Sequence, residues 1–312
     1  MPRSLDPTVR HPVRREPAGE AWVLGARSHV RLADVLSAQG WRGVLLTRRR
    51  APGCATPRGF AWRELSDPRW RVPTGAVVFS LVPLDALPPW LPRCRRAVRI
   101  VALGTTSVHV REASPDAGER TRMARLREAE AYLAEFGAAA RVPWTLLRPT
   151  LIYGDGADGN LGLVRRMIER LGVVPVAAPG SGLRQPVHEQ DVAAALLAAA
   201  RHPALANRAC DLPGPETLTY REMVTRVFAV TGRKPRVAVL PPRLLRAALV
   251  LLRRLGADGL SPTLVDRMNV DQCFDAAGIW DTLGVVPRPF RPGAPAGNDS
   301  PTRQPRESSG SA

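Results

Sequence analysis

Residues 21–41, AWVLGARSHVRLADVLSAQGW, constrain the fold more than any other stretch of the chain. The apolar run 22–24 leads to a single glycine, Gly25, and the apolar residues that follow over 32–39 are spaced as on one face of a helix. A strand, a glycine turn and a helix in this order predict the first step of a parallel α/β sheet.

The same alternation continues along the chain. Apolar runs at 43–47, 76–82, 98–103 and 144–148 predict further strands, and a helical pattern over 119–136 separates the last two. Because strands separated by helices are joined by right-handed crossovers, the sequence predicts an α/β fold, a Rossmann-type doubly wound parallel sheet. Longer helical patterns at 162–171, 189–200, 220–231 and 242–255 predict a smaller C-terminal α/β lobe.

The formal charge of +17 raises the question of nucleic-acid binding, because a basic surface attracts phosphates. However, Lys234 is the only lysine, and several of the arginines lie in the two terminal segments. An arginine-rich composition therefore accounts for much of the charge, and a basic nucleic-acid-binding protein is an alternative of lower rank.

The four cysteines are scattered, without the short pair spacing of a metal site or a redox pair, so we expect no metal and a reduced, cytoplasmic setting. The most apolar segment is 244–256, where the longest uninterrupted apolar run is 247–252. A spanning helix needs roughly 20 apolar residues, so no membrane span is expected, although a basic helix on a membrane surface stays open.

Two later stretches carry a family resemblance. LRPTLIYGDG at 147–156 and PGSGLRQPVHEQDVAAAL at 179–196, followed by CDLPGPETLTYREMV, resemble segments of the NAD-dependent epimerase/dehydratase group. This group belongs to the extended or atypical short-chain dehydrogenase/reductase family, and the resemblance covers about residues 20–290. It implies a Rossmann fold and a nicotinamide dinucleotide as cofactor.

On this basis we expect four segments. Residues 1–18 and 291–312, rich in Pro, Gly, Ser and charge, are expected to be disordered tails. Residues 19–160 would form the dinucleotide-binding core, and residues 161–290 would form a substrate-side lobe that completes the same unit.

The resemblance assigns cofactor contacts to the first turn. The family pattern there is Gly-x-x-Gly-x-x-Gly, which gives a tight turn, a close approach to the pyrophosphate and close helix packing. Gly25 matches the first glycine, while Ser28 and Arg31 replace the other two. Ser28 can still hydrogen-bond a phosphate oxygen. If the Arg31 side chain turns toward the phosphates, its positive charge can offset the loss of the close approach between backbone and pyrophosphate.

Other positions indicate which dinucleotide is bound. Arg48, Arg49 and Arg50 follow the second predicted strand, where an arginine accommodates the 2′-phosphate of NADP, and Arg27 lies in the preceding turn. NADP is therefore preferred over NAD. The alternative is that these arginines form a basic turn that contacts only solvent. The resemblance also places three further residues beside the cofactor: Glu64, Leu65 and Pro149.

The proton-transfer pair of the family is missing. Its members use a tyrosine whose pKa is lowered by a lysine four residues later, with a Ser or Thr holding the same substrate oxygen. Residue 230, four before Lys234, is a valine, so the chain has no Tyr-x-x-x-Lys. In the matching helix Thr121 and Arg125 take the two positions, and Thr106 keeps the Ser/Thr position. Arg125 can still bind ribose hydroxyls.

Two residues, His109 and Tyr153, are candidates for a replacement acid/base group. The resemblance implies that Arg184 contacts the diphosphate of a substrate. His188 and Asp191 are expected to cap and orient the lobe. The leading reading is a cofactor-binding protein with weak or no standard dehydrogenase chemistry. The first alternative is an NADP-dependent oxidoreductase or nucleotide-sugar epimerase with a replacement acid/base, and whether the chain is an enzyme stays undecided here.

Overall fold

The structure is a computed structural model that describes residues 19–26, 31–48, 55–111, 114–154, 160–254, 263–276 and 278–293. Arg27, Ser28, Arg49 and Arg50 lie outside these ranges. The expected tails also lie outside them, apart from residues 291–293.

A seven-stranded sheet forms the centre of the fold and confirms the predicted fold class. Numbered in chain order, its strands are β1 (Glu20–Leu24), β2 (Arg42–Thr47), β3 (Phe60–Glu64), β4 (Val77–Ser80), β5 (Arg99–Leu103), β6 (Trp144–Pro149) and β11 (Arg208–Leu212). The spatial order is β11-β6-β5-β4-β1-β2-β3, and the pairs β1–β2, β2–β3, β1–β4, β4–β5 and β5–β6 are all parallel. The strand order reverses between β1 and β4, and in doubly wound sheets the ligand crevice lies at the carboxyl ends of the two strands at such a reversal.

The burial of the strands explains the apolar runs. All four residues of β4 and the last four of β1 are buried, as expected for central strands covered on both faces. The edge strand β3 buries only Phe60, and its remaining residues are partly or fully exposed.

Nine helices are described. They are α1 (Leu32–Ala38), α2 (Ser107–Val110), α3 (Ala117–Ala140), α4 (Asn160–Leu171), α5 (Glu189–Arg201), α6 (Tyr220–Val227), α7 (Pro242–Arg254), α8 (Thr263–Arg267) and α9 (Ile279–Leu283). Short 3-10 turns occur at Leu84–Ala86, Pro88–Cys94, Pro203–Leu205 and Phe228–Thr231. In the described part of the chain, no helix has the length and apolar character needed to cross a bilayer.

Three two-stranded sheets accompany the later helices. The pairs are β7 (Ile152–Tyr153) with β10 (Val187–His188), parallel; β8 (Val174–Ala177) with β13 (Val237–Leu240), parallel; and β9 (Leu183–Arg184) with β12 (Leu218–Thr219), antiparallel. Each pair joins segments that are distant along the chain, which ties the second half of the sequence together.

The chain divides into two compact units that interleave along the sequence. Unit 1 holds the described residues of Met1–Gly104, Arg122–Leu147 and Ala193–Cys210. Unit 2 holds those of Thr105–Thr121, Arg148–Val192 and Asp211–Ala312. The division therefore differs from the single boundary expected near residue 160, because β6, β11, α3 and α5 each run from one unit into the other.

Candidate functional site

The turn after β1 lies in unit 1 and needs glycine. Gly25 has φ of 77°, in the left-handed region, and its N–H donates to Leu46 O at 2.9 Å. A Cβ there would lie 2.7 Å from Val82 N and 2.9 Å from the carbonyl carbon of Leu81. The turn thus lies against the loop that follows β4, at the point where the strand order reverses.

A buried hydroxyl lies next to this turn. Ser80 ends β4 and pairs in register with Leu24, the last residue of β1. Its side chain is 1% exposed, and no described residue gives its hydroxyl a hydrogen bond. A polar ligand atom in the crevice would satisfy this hydroxyl, so the residues present fit the pyrophosphate region of a dinucleotide.

The replacement of the third glycine does not disturb the packing of α1. Arg31 precedes the helix and is exposed, while Leu32 and Leu36 of α1 are fully buried. The arginine side chain has therefore left the contact between helix and sheet, and its charge is available to solvent or to an anion.

The three residues expected near the adenosine end, Arg48, Glu64 and Leu65, share one edge of unit 1. Arg48 follows β2 and is exposed, and Glu64 ends β3 in register with Thr47. Leu65 donates its N–H to Thr47 O at 2.9 Å, and its side chain is buried. The structure thus brings Arg48 and the Glu64–Leu65 pair to the carboxyl ends of neighbouring strands.

The side chains of Thr121 and Arg125 both lie on the exposed face of α3. The Thr121 hydroxyl donates to Ala117 O at 2.9 Å, a bond within its own helix. Met123 and Leu126 lie on the opposite, buried face. The expected replacements for the Tyr/Lys pair are therefore accessible, but Thr121 supplies no titratable group.

Thr106 and Pro149 lie together in unit 2. The backbone N–H and the hydroxyl of Thr106 both point to Pro149 O, at 3.3 and 3.4 Å, and Thr106 is 5% exposed. Two residues expected at the site are thus in direct contact.

His109 forms a cluster that the sequence did not predict. Its Nε2 lies 3.1 Å from the Asp211 carboxylate, and Arg148 Nη1 lies 3.6 Å from the same oxygen. The imidazole also packs against Phe274, with ring centroids 5.6 Å apart. The sequence alone does not single out Asp211 in the CDLPG stretch, because only the fold brings this residue of β11 to His109 of α2. An acidic residue at the carboxyl end of a strand was the available signal.

The side chain of Tyr153 is buried and hydrogen-bonded within the protein. Its hydroxyl donates to Pro289 O at 2.9 Å and accepts from Arg291 N at 3.4 Å. The side chain is 2% exposed, and burial raises the pKa of Tyr153 to about 12. A phenol that is buried, bonded on both sides and hard to ionise is poorly suited to proton transfer near neutral pH.

Arg184 is also held within the protein. Its guanidinium donates to Leu183 O at 2.7 Å, to Val270 O at 2.8 Å and to Arg267 O. It lies over the Tyr220 ring and is 5% exposed, and burial lowers its pKa. This geometry favours an internal bridge to the 267–270 segment and does not favour the diphosphate contact expected from the family resemblance.

His188 and Asp191 make contacts that agree with a capping and orienting role. His188 Nδ1 accepts from Gln190 N at 3.1 Å at the start of α5. The Asp191 carboxylate accepts from the Arg288 backbone N and Nε, both at 2.9 Å. Burial raises the pKa of Asp191, and these bonds from Arg288 act in the opposite direction.

A protein-family model matches part of the chain. Residues 120–210 match the model of the NAD dependent epimerase/dehydratase family. A search of curated protein sequences finds no match. The family resemblance inferred from residues 147–156 and 179–196 is thus confirmed, since both stretches fall within the matched region.

Three solved structures have a similar fold. MoeE5 in complex with UDP-glucose and NAD is 18% identical, with a TM-score of 0.62 over 87% of this chain and 94% of that chain. UDP-glucose 4-epimerase from Thermotoga maritima with UDP-glucose is 15% identical, with a TM-score of 0.61 over 86% and 94%. TunA, an NAD dependent NDP-hexosamine 5,6-dehydratase of tunicamycin biosynthesis, is 17% identical, with a TM-score of 0.62 over 88% and 94%.

These likenesses bear on the fold and on the cofactor expectation. At such low identity they establish the fold alone. The cofactor named for MoeE5 and TunA is NAD, so they do not support the preference for NADP expected from the arginines after β2.

Proposed function

We propose, from the family match over residues 120–210 and from the turn at the carboxyl end of β1, that this chain binds a nicotinamide dinucleotide. We further propose that it lacks the family's standard Tyr/Lys proton transfer. The observation that carries the proposal is Gly25, whose positive φ and close approach to residues 81–82 suit a pyrophosphate-binding turn.

Each part of the dinucleotide has a candidate contact. The Gly25 turn and the Ser80 hydroxyl would face the pyrophosphate, and Arg48 would lie toward the adenosine ribose. Arg125 keeps a positive charge at the family's lysine position, where it would bond ribose hydroxyls. When bound, the nicotinamide supplies a hydride acceptor or donor.

The standard proton transfer is the part we expect to be lost. Thr121 stands where the family has tyrosine, and its hydroxyl neither ionises usefully near neutral pH nor is free of the helix backbone. The positively charged Arg125 can bind a cofactor, but no tyrosine stands at position 121 whose pKa it could lower for proton transfer. The proposal is therefore a cofactor-binding protein with little or no standard dehydrogenase activity.

Calorimetric titration of the full chain with NADH and with NADPH tests this proposal. We expect a dissociation constant in the micromolar to sub-millimolar range, about 5 to 8 kcal/mol of binding free energy. Arg48 favours NADPH, and Arg48→Glu should shift the preference toward NADH. A preference of the parent for NADH would overturn the role of Arg48 alone, whereas no binding of either dinucleotide at millimolar concentration would overturn the proposal.

A second candidate function rests on the contact between His109 and Asp211. The carboxylate 3.1 Å from Nε2 would hold the imidazole in one orientation and one tautomer, as an acid/base group requires. In that case the chain would be an NAD(P)-dependent oxidoreductase or nucleotide-sugar epimerase, with His109 accepting the hydroxyl proton as the hydride leaves the substrate carbon. This candidate presupposes dinucleotide binding, while the leading one does not require turnover.

Turnover assays separate the two candidates. The parent is incubated with NAD or NADP and UDP-glucose, and the absorbance of reduced nicotinamide and the formation of sugar products are followed. An active parent whose turnover falls by about a hundredfold or more in His109→Gln supports the second candidate. His202→Gln, which changes a histidine of unit 1, is the matched control. A parent that binds the dinucleotide but does not turn over UDP-glucose contradicts a UDP-glucose epimerase or dehydrogenase role for His109.

A further inference from the structure

Helix α7 has apolar side chains in two directions. Leu245 and Leu249 are buried in the core of unit 2, beside Val176 and Met268. Leu244 and Leu251 are instead 62% and 58% exposed. Large aliphatic side chains at such exposure leave an apolar surface on the outside of a helix whose inner face is already packed.

The exposed leucines share one face. Leu244, Ala248 and Leu251 are spaced by four and three residues, so they follow one another along two turns of the helix, and all three are exposed. We call this the α7 ridge. Its neighbours around the helix are Arg243 and Arg254, both exposed.

The charge around the α7 ridge is positive. Residues 242–254, PRLLRAALVLLRR, contain four arginines and no acidic residue. The acidic residue of α8 that meets α7 is Asp266, and it is ion-paired with Arg246. Exposed leucines bordered by arginines are the composition of a helix that lies in the surface of an anionic membrane.

Charge and shape favour an anionic membrane over a protein partner for the α7 ridge. A second copy of the chain would bring another molecule with a formal charge of +17 against an arginine-rich helix, which is unfavourable. The high exposure of both leucines marks a protruding ridge rather than a groove. A stable protein interface needs about 800 Å² per partner with matched shape, whereas a lipid surface accepts a single ridge.

We propose that α7 docks the protein on an anionic lipid surface. Leu244 and Leu251 enter the boundary between headgroups and acyl chains, and Arg243 and Arg254 bind lipid phosphates while their stems cover the apolar edge. The docking is peripheral and reversible, and it is independent of the dinucleotide.

Vesicle flotation with the full chain tests the proposal. The probes are phosphatidylcholine vesicles with and without about 30% phosphatidylserine. We expect the parent to float with the anionic vesicles and not with the neutral ones. The variant Leu244→Gln/Leu251→Gln should lower the partition coefficient at least about tenfold while leaving the melting temperature near that of the parent, since both side chains are exposed.

A matched control separates the ridge from the overall charge. Val98→Gln/Val286→Gln removes two apolar side chains that are 50% and 92% exposed in other segments, and it should bind as the parent does. The proposal is overturned if the leucine variant binds anionic vesicles as tightly as the parent, because general charge then carries the binding. It is also overturned if the parent does not bind anionic vesicles. A third contrary result is that soluble polyglutamate binds the parent but not the Leu244→Gln/Leu251→Gln variant, which would indicate an acidic protein partner.

Discussion

The guanidinium of Arg184 shows how the surroundings of a residue decide its role. It donates to the carbonyls of Leu183, Val270 and Arg267 and is almost fully buried. Removing it takes the charged donor away from these three carbonyls, and bonds to charged groups contribute about 1.5 to 3 kcal/mol each. Arg184→Ala should therefore lower the free energy of unfolding by about 3 kcal/mol or more.

Urea denaturation measures this effect, with Arg165→Ala as the control. Arg165 pairs with Glu169 on an exposed helix face, and such pairs contribute less than about 1 kcal/mol. Arg184→Lys should recover little, because an ammonium cannot span the same three carbonyls. An Arg184→Ala protein as stable as the parent would contradict the structural role of the guanidinium.

At the same scale, the sequence suggests single residues for the candidate site but not the contacts that they make. Gly25, Arg48, Thr106 and His109 are candidates because of their positions relative to the family's short motifs. The partner of His109 could not be found in this way, because Asp211 is 102 residues away and only the packing of unit 2 joins them. Burial of Tyr153 likewise depends on Pro289 and Arg291, far along the chain.

At the scale of elements, α6 begins with a capping box. Thr219 Oγ1 accepts from Glu222 N at 3.1 Å, and the Glu222 carboxylate accepts from Thr219 N at 2.8 Å. Loss of such a cap costs about 1 kcal/mol, so Thr219→Ala should lower the unfolding free energy by about that amount. Thr225→Ala is the control, since among the described residues the Thr225 hydroxyl bonds to Arg221 O alone, within its own helix.

The cap also predicts a pH dependence. Hydrogen bonds from Thr219 lower the pKa of Glu222 below its ordinary 4.5, so the folded state favours the ionised carboxylate. Its contribution is present above about pH 4.5 and is lost as the pH falls through the lowered pKa. The difference between parent and Thr219→Ala in urea denaturation should accordingly shrink in acid. A difference that stays constant from neutral to acidic pH would contradict the role of the ionised carboxylate.

The elements that the sequence predicted are those with an apolar signal. The buried strands β1, β2, β4, β5 and β6 gave continuous apolar runs, and helices α3 to α7 gave helical spacing. The edge strand β3 gave none, because a strand that buries one side chain has no reason to be apolar. Edge strand β11 is similar, with only Leu212 buried.

For the whole molecule, the two compact units have different bounds from the linear division into core and lobe that the sequence predicts. The units interleave because the chain leaves unit 1 near the end of β6 and returns to it within α5, so that β11, from the second half of the sequence, completes the sheet. Such exchange has no local sequence signature. The family match over residues 120–210 includes residues of both units.

The central claim, that the turn after β1 holds a nicotinamide dinucleotide, is tested most directly by calorimetric titration of two glycine variants. Gly25 and Gly75 both have positive φ, 77° and 92°, so alanine strains the backbone in each. A Cβ on Gly25 would meet Val82 N at 2.7 Å, whereas a Cβ on Gly75 meets nothing within 4 Å. We predict that Gly25→Ala, still folded by circular dichroism, loses at least about tenfold in affinity for the preferred dinucleotide, while Gly75→Ala binds within about threefold of the parent. Equal affinity of the parent and the two variants would contradict the account.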